Sequence, residues 1–574
     1  MRNWFGIGVV LLVACSPDPV TPVPSPQSDV PVAVRSFDQG WTAADRAVFD
    51  GTRQGSYLMP RPWFAALRRI DVDAPFAADQ LVRYGYLASG PAVAGALVLP
   101  VGFVADGTAD DPQVGMTCAA CHTGQLLIKD VAWRIDGGRS HADFQAFLTD
   151  LGQAALATID DRRRFDAFAA AVLGPVASPA QSDALRLAFA DWTRRFTAFM
   201  DASLPRPGWG PGRLDAFGMI FNRVTGLDVE VPTNIAKADA PVRYPFIWDA
   251  ARQDHTQWTG AAPNGTYLRG MARNTGEVFG VFGRLTPTPI PIETAIYDNS
   301  VNLAGLQALE EKVVALRPPP WPREIFPLDL AEAARGKLLF ADNCGRCHEQ
   351  KPSPLVSNAW NTVVVDVGTD RRTFDNSKKT ASPGLLLNTR EPPFIGEQLV
   401  QPSPKLSILA NAVIGSLLHA ALHQDPGLRR AIELDFAEDR LPLQREGLSP
   451  APVASAASVL SATKDLYKLA DGIPGAAYEA RVLTGIWAVG PYLHNGSVAS
   501  LWELLRPASA RLKSFAVGDR AFDPVNVGLE TNSGGSGAVF KVDAGSGNDN
   551  RGHEYGTALP EPDRRALLEY LKTL

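Results

Sequence analysis

Two copies of one five-residue pattern constrain this chain more than any other feature of its sequence. Four of its five cysteines stand in them, and the copies read Cys118-Ala-Ala-Cys121-His122 and Cys344-Gly-Arg-Cys347-His348. In C-x-x-C-H, the attachment pattern of c-type haem, two thiols add to the haem vinyl groups and the histidine binds the iron. A thioredoxin-like cysteine pair or a zinc site would not require a histidine directly after each pair. The sequence therefore predicts two covalently bound haem c groups, haem 1 with His122 and haem 2 with His348 as iron ligand.

The composition is that of a folded chain without affinity for nucleic acid. Of the 574 residues, 45% are hydrophobic and 20% are charged, which supplies enough apolar residues for a sizeable core. The formal net charge of −6 provides no basic field that would attract nucleic acid. With 50 glycines and 46 prolines, many loops between short elements are expected.

The N-terminus predicts export and a lipid anchor. Arg2 precedes an apolar run over residues 5–13, which is too short to span a bilayer and is typical of a signal peptide. The run ends in Leu-Val-Ala-Cys15, which resembles a bacterial lipobox, in which the cysteine is lipidated. We predict a signal peptide over residues 1–14 and a lipidated, proline-rich tether over 15–35. By the same resemblance, the serine after Cys15 indicates an outer-membrane anchor facing the periplasm or the cell surface.

The two haem motifs divide the rest of the chain. We expect an N-terminal lobe over residues 36–316 with haem 1, a linker over 317–322 that reads Arg-Pro-Pro-Pro-Trp-Pro, and a C-terminal cytochrome c domain over 323–574 with haem 2. Helical spacing predicts a helix with its N-cap at Asp329, before the second motif, and another over residues 563–574. The predicted fold is mainly α, with two cytochrome c-like lobes, long irregular loops and a few short strands.

Several stretches resemble the bacterial di-haem cytochrome c peroxidases, including the MauG branch. In that family a tryptophan lies between the haems, and a glutamate later in the chain stands over the open haem. The matching residues here are Trp248, within Phe-Ile-Trp-Asp, and Glu277, within Asn-Thr-Gly-Glu. Residues 481–497 are similar to the family's T-L-R-N-V … A-P-Y-F-H-D-G-S stretch near the second haem. The resemblance implies that Trp248 relays electrons and that Glu277 performs acid–base chemistry at haem 1.

Two departures from that family leave the oxidant open. The chain is long, and Trp258 stands ten residues after Trp248, where the peroxidases usually carry glutamine. A long di-haem protein with an aromatic residue near haem 1 is similar to the rubber oxygenase branch, which cleaves polyisoprene with dioxygen and lacks the acidic residue over the haem. Glu277 therefore favours hydrogen peroxide as the oxidant, whereas Trp258 favours O2.

The sixth ligand of haem 2 has several candidates. No methionine follows Met271, so the methionine ligand common in the peroxidases is absent from the C-terminal lobe. His553 lies in a glycine-rich loop just before the last predicted helix, where such a ligand is expected. We predict His553 as the ligand, with His494, Tyr492 and Tyr555 as alternatives.

Together these observations predict an exported di-haem oxidoreductase. Its expected reaction is reduction of hydrogen peroxide at haem 1, with electrons that a small redox protein or a dye-like donor passes through haem 2. The alternatives are a rubber-oxygenase-like enzyme that cleaves an apolar unsaturated substrate with O2, and an electron carrier with both irons closed. The family resemblance also implies one calcium ion, although the sequence contains no D-x-D-x-D-G loop.

Overall fold

The computed structural model describes residues 34–93, 95–287, 296–354, 356–391, 397–423, 477–531 and 537–574. The predicted signal peptide, the lipidation at Cys15 and the tether up to residue 33 lie outside these described residues. Within the described ranges, no helix combines the length and the apolar character that a membrane crossing needs.

Helices and short strands alternate along the described chain. The α-helices are α1 (Ala43–Gly51), α2 (Arg61–Ala66), α3 (Phe144–Asp160), α4 (Arg162–Leu173), α5 (Pro179–Ser203), α6 (Ala216–Phe221), α7 (Tyr267–Gly280), α8 (Leu303–Ala315), α9 (Leu330–Asn343), α10 (Gly345–His348), α11 (Arg372–Ser377), α12 (Lys405–His423), α13 (Leu501–Leu504) and α14 (Glu561–Leu571). The strands are β1 (Val34–Ser36), β2 (Met59–Pro60), β3 (Phe103–Gly107), β4 (Pro112–Met116), β5 (Thr123–Ile128), β6 (Val131–Asp136), β7 (Arg213–Leu214), β8 (Val242–Arg243), β9 (His255–Thr256), β10 (Ala262–Pro263), β11 (Leu285–Thr286), β12 (Asp298–Asn299), β13 (Val363–Val365), β14 (Thr380–Ala381), β15 (Arg390–Glu391), β16 (Glu397–Gln398), β17 (Ser403–Pro404), β18 (Tyr478–Ala480), β19 (Ser514–Val517), β20 (Phe522–Asp523), β21 (Gly528–Leu529) and β22 (Ala538–Lys541).

A β-hairpin carries the first haem motif. Strand β5 begins directly after His122 and turns back into β6 through Lys129 and Asp130, whose φ angles are 47° and 60°. Two positive φ angles are typical of the type I′ turn, whose twist matches that of the flanking strands. Strand β1 pairs in parallel with β6, so the sheet order is β1-β6-β5 and the last two residues of the predicted tether belong to this sheet.

Three long helices of the N-terminal half build an apolar layer beside this region. Helix α5 begins with a capping box, in which Ser178 accepts from the Gln181 amide and the Gln181 side chain accepts from the Ser178 amide. Asp143 and Asp161 cap α3 and α4 in the same region. The buried faces of α3, α4 and α5 share one hydrophobic cluster, which includes Phe147 and Phe189.

The helix before the second haem motif crosses the C-terminal helix. Helix α9 has its N-cap at Asp329, as predicted, and ends at Asn343, directly before Cys344. It packs against α14 at Gly336, where an added Cβ would lie 2.0 Å from the Ala566 carbonyl oxygen and 2.9 Å from Tyr570 Cβ. Only glycine permits this close approach, because any side chain would collide with the backbone of α14.

The proline-rich segment 317–322 packs into the main core. Trp321 is buried, and its ring meets the ring of Trp487 edge-on at 5.3 Å. The Trp487 indole donates its Nε1–H to the Pro319 carbonyl at 2.9 Å. The largest hydrophobic cluster contains residues from both sides of this segment, from Phe37 to Leu571. The two parts of the chain that carry the haem motifs therefore share a core.

Candidate haem sites

The first motif presents a neutral imidazole. Cys118–Ala120 forms a 3₁₀ turn whose N-cap is Thr117, and the half-buried His122 follows. Its Nδ1 lies 2.8 Å from the Pro245 carbonyl oxygen. Because a carbonyl only accepts, Nδ1 carries the proton and Nε2 keeps the lone pair that a metal needs. Burial lowers the pKa of His122 to about 4, and the Pro245 hydrogen bond opposes that shift only in part.

The second motif repeats this arrangement on a helical scaffold. Helix α9 leads into α10, which ends at His348, and His348 Nδ1 lies 2.8 Å from the Arg481 carbonyl oxygen. Burial lowers the pKa of this histidine as well. The pKa of the neighbouring Cys344 thiol is raised to about 11 by burial and by the charge of Cys347. Both motifs thus hold a deprotonated Nε2 next to two thiols, which is the donor set that covalent haem c requires.

His553 faces His348. The two imidazole centroids are 6.2 Å apart with an interplanar angle of 55°. Two imidazoles that bind one metal ion would each have a metal–nitrogen bond of about 2 Å and a distance of about 1 Å from that nitrogen to the ring centre. Their ring centres would then lie about 6 Å apart. Burial, and after it the charges of the nearby His348 and Arg511, lower the pKa of His553 to about 4. The two rings therefore fit a haem iron held between them by two neutral histidines.

Backbone contacts hold His553 in this position. Its φ angle of 49° is left-handed, its amide donates to the Val367 carbonyl at 2.8 Å, and its carbonyl accepts from Arg511 at 3.1 Å. The alternative ligand His494 stacks on Tyr478 at 3.8 Å and has its Nε2 3.8 Å from Asp370. Of the candidate sixth ligands, His553 is the one whose described contacts include His348.

A half-buried carboxyl group lies near the first motif. Glu277 projects from α7, and its Oε1 accepts a hydrogen bond of 2.6 Å from the Gln257 amide. Burial raises the pKa of Glu277, whereas Arg273 and the Gln257 hydrogen bond oppose this shift. The Cys118 thiol has its pKa raised to about 12 by burial and, next, by the charge of Glu277. The same charge raises the pKa of Cys121, so Glu277 acts electrostatically on both cysteines of the first motif.

Gln257, directly before Trp258, supplies a side-chain amide to Glu277. Gln257 has a left-handed φ of 68° and points to Glu277, one residue before the position that the family resemblance indicated. The Trp258 indole donates to the Arg243 carbonyl at 3.1 Å, and the Arg243 guanidinium lies 4.9 Å from its ring centre. Trp258 also meets His494 edge-on. The described partners of Trp258 are therefore different from those of Glu277.

An ion pair between α7 and α8 lies close to Glu277. Arg273 lies one helical turn before Glu277, and its Nη2 is 2.6 Å from Glu310 Oε2. Its Nη1 donates to Asn264 at 2.6 Å, and Asn274 donates to Glu310 at 3.0 Å. The buried guanidinium places a positive charge near the Glu277 carboxyl group and limits the increase of its pKa.

Trp248 connects the chain segments that orient the histidines of the two motifs. Its buried indole stacks on Phe246 with centroids 4.6 Å apart. Its Nε1–H donates to the Thr484 carbonyl at 2.7 Å. Phe246 follows Pro245, the acceptor for His122, and Thr484 lies three residues after Arg481, the acceptor for His348.

Comparison with known proteins places this architecture in a family. The chain is 31% identical over 586 residues to the uncharacterized protein y4iJ of Sinorhizobium fredii (strain NBRC 101917 / NGR234), an alignment that covers 94% of this chain and 93% of y4iJ. The chain belongs to the y4iJ family. The uncharacterized protein y4iM of the same strain is 26% identical over 332 residues, covering 53% of this chain and 62% of y4iM. Residues 477–516 match the family described as RoxA-like, cytochrome c-like.

The cytochrome c-like match in this y4iJ-family chain covers a functional part of the site. It contains Arg481, which orients His348, and Thr484, which holds Trp248. A cytochrome c-like region implies covalently bound haem c, and both C-x-x-C-H motifs contain the residues that fit it. The chain therefore has the properties of a haem oxidoreductase.

Several residues of the site were not found from the sequence of this y4iJ-family member. Gln257 carried a detectable signal, a glutamine nine residues after Trp248. Arg273 and Glu310 are a long-range pair without a local pattern, and the carbonyl groups of Pro245 and Arg481 belong to the backbone. No three His, Cys, Asp or Glu side chains lie close enough to hold a metal ion within the described residues, so that part contains no carboxylate cluster for the expected calcium ion.

Proposed function

We propose that the protein is an exported di-haem c-type cytochrome that reduces hydrogen peroxide at haem 1 with electrons passed through haem 2. The observation that carries this proposal is the contrast between the two motifs. The second pairs its histidine with His553, whereas the first lies near the half-buried carboxyl group of Glu277. A closed iron suits electron transfer, and a carboxyl group near an open iron suits O–O bond cleavage.

The proposed chemistry needs proton transfer between the two peroxide oxygens. Cys118, Cys121 and His122 would hold the haem c, which would supply the iron and the electrons for breaking the O–O bond. Glu277 accepts the proton of the near oxygen and returns it to the leaving oxygen, so that two electrons and two further protons convert one peroxide into two waters. Burial raises the pKa of Glu277, which favours the protonated form needed for the second step. Gln257 orients the carboxyl group through the 2.6 Å hydrogen bond.

The proposed electron route runs from haem 2 through Trp248. The indole packs between the segments that orient His122 and His348, and its edge lies against Gly485. A small redox protein or a dye-like donor reduces haem 2 from outside. In this proposal each haem belongs to its own cytochrome c-like lobe, over residues 36–316 and 323–574, and Cys15 anchors the protein to the outer membrane, facing the periplasm or the cell surface.

A second candidate function is oxidative cleavage with O2. It is favoured by the match of residues 477–516 to the RoxA-like family. By resemblance, the rubber oxygenases lack an acidic residue over the haem, so the half-buried Glu277 and its Gln257 partner favour peroxide. The two functions differ in their need for an external electron donor.

Spectroscopy with and without peroxide tests the proposal. The oxidised protein should contain two haems and show one high-spin or water-ligated signal and one low-spin signal of two histidines. Peroxide should be consumed when a reduced cytochrome or dye is present. Two low-spin signals that ignore both cyanide and peroxide would indicate an electron carrier. Cleavage of an unsaturated hydrocarbon by O2, without peroxide or reductant, would establish the oxygenase.

A further inference from the structure

A short chain of hydrogen bonds joins the two proximal histidines. His122 Nδ1 donates to the Pro245 carbonyl at 2.8 Å, and the next carbonyl, that of Phe246, accepts from Arg481 Nη2 at 2.7 Å. The carbonyl of the same Arg481 accepts from His348 Nδ1 at 2.8 Å. The side chain of Arg481 therefore contacts the backbone segment that orients His122, and the backbone carbonyl of Arg481 orients His348.

The guanidinium of Arg481 has little freedom to move. Its Nη1 donates to Glu479 Oε1 at 2.6 Å, and the Glu479 side chain is 0% exposed. Its planar face lies 4.6 Å from the Phe246 ring centre and 5.6 Å from that of Trp258. The planar guanidinium donates to two fixed acceptors and is therefore pre-organised. A displacement of one acceptor consequently also moves the hydrogen bond to the other. Lysine could reach one acceptor but not both in this geometry.

We propose that Arg481 is a positioning residue that couples the two haem sites by holding the hydrogen-bond acceptors of both proximal histidines in one rigid unit. The inference deepens the proposed function and rests on its assignment of one haem to each motif. The hydrogen bond on Nδ1 sets the orientation and the basicity of a ligating histidine. A change at Arg481 should therefore alter both irons, although its side chain bonds to neither histidine.

The test is a redox titration with EPR spectra of the holoprotein in Arg481→Lys and Arg481→Gln. Loss of the hydrogen bond to Phe246 should change the equilibrium constant for reduction of haem 1 about tenfold. This is the lower end of the effects seen when a residue that hydrogen-bonds to a metal ligand is replaced. For one electron, a tenfold change is a shift of about 59 mV in the reduction potential. The low-spin signal of haem 2 should shift in the same variants, because the Arg481 backbone moves with its side chain.

Arg213→Lys is the matched control. Arg213 and Arg481 are both 6% exposed, and Arg213 also donates to backbone carbonyls, those of Trp209 and Asn495. Neither carbonyl accepts from a haem-motif histidine, so both haem signals should stay as in the parent. If the Arg481 variants do not accumulate with haem, Glu479→Gln should move both signals in the same direction by a smaller amount.

Unchanged potentials and spectra in the Arg481 variants, or in Glu479→Gln when that variant takes their place, would refute the coupling. Equal shifts in Arg213→Lys would do the same, because the effect would then belong to any buried arginine. These outcomes are independent of turnover. A protein that consumes no peroxide but shows both shifts would retain the coupling and reject the peroxidase proposal.

Discussion

At the scale of single residues, burial decides which groups near the haem motifs carry a proton. The same desolvation that raises the pKa of the Glu277 carboxyl group lowers the pKa of the His122 and His553 rings, because each shift favours the uncharged form. An uncharged imidazole can bind a metal, and an uncharged carboxyl group can donate a proton. Both properties come from the surrounding apolar packing and not from the residue type alone.

Replacement of Glu277 tests its proposed role as the acid–base group. Glu277→Gln keeps the shape of the side chain and the neighbourhood of Gln257 but removes the titrating proton. We expect peroxide cleavage to slow by about 10²-fold or more, the usual size of an acid–base contribution, in stopped-flow measurements of peroxide binding and turnover. Glu311→Gln, an exposed position on α8, is the control and should leave the rate unchanged. Unaltered kinetics in Glu277→Gln would remove this carboxyl group from the mechanism.

A buried histidine outside the haem motifs predicts acid sensitivity. His141 is 5% exposed, and burial together with the charges of Arg139 and Arg520 lowers its pKa well below the ordinary 6.5. The unfolded chain takes up this proton near pH 6.5 while the folded chain does not, so the free energy of unfolding falls as the pH falls below 6.5. The slope from one such group is about 1.4 kcal/mol per pH unit.

His141→Gln should flatten this dependence between pH 7 and pH 5. Urea denaturation followed by circular dichroism at both pH values measures it as the difference between the two proteins. Parallel pH dependence in parent and variant would show that His141 is protonated in the folded protein.

At the scale of secondary-structure elements, the crossing of α9 and α14 builds the region around the second motif. Gly336→Ala should destabilise the protein by about 2 kcal/mol, because the added methyl group would collide with the Ala566 carbonyl oxygen. Chemical denaturation should reveal this change, and the low-spin haem 2 signal should broaden as α9 shifts. Lys337→Ala on the exposed face of α9 is the control. Equal stability of Gly336→Ala and the parent would mean that the two helices separate without cost.

At the scale of the whole molecule, a loop late in the chain meets the second haem motif. His553→Ala should convert the low-spin signal of haem 2 to high-spin while haem 1 keeps its bond from His122. Peroxide turnover with a reduced cytochrome should then fall, because the electron route through haem 2 and Trp248 is altered. His494→Ala should keep the low-spin signal, since the described contacts of His494 are with other residues. A low-spin haem 2 that survives in His553→Ala would transfer the ligand assignment to His494.

Features whose chemistry is local could be predicted from the amino-acid sequence alone. Two thiols and a histidine within five residues identify a haem attachment site because the haem bonds to adjacent residues. The N-cap at Asp329 was predicted correctly because capping depends on the first helical turn. In the same first turn the carboxylate of Glu332 pairs with Arg335, because both side chains reach the same face of α9.

The contacts between distant groups became visible in the folded chain. The 6.2 Å approach of His553 to His348, the Gln257–Glu277 hydrogen bond and the Arg273–Glu310 ion pair each join residues that no local spacing relates. The carbonyls of Pro245 and Arg481 carry no side-chain signal, since every residue has the same backbone acceptor. The pKa shifts of Glu277 and His553 also depend on burial, which the packing of the whole chain sets and no short segment contains.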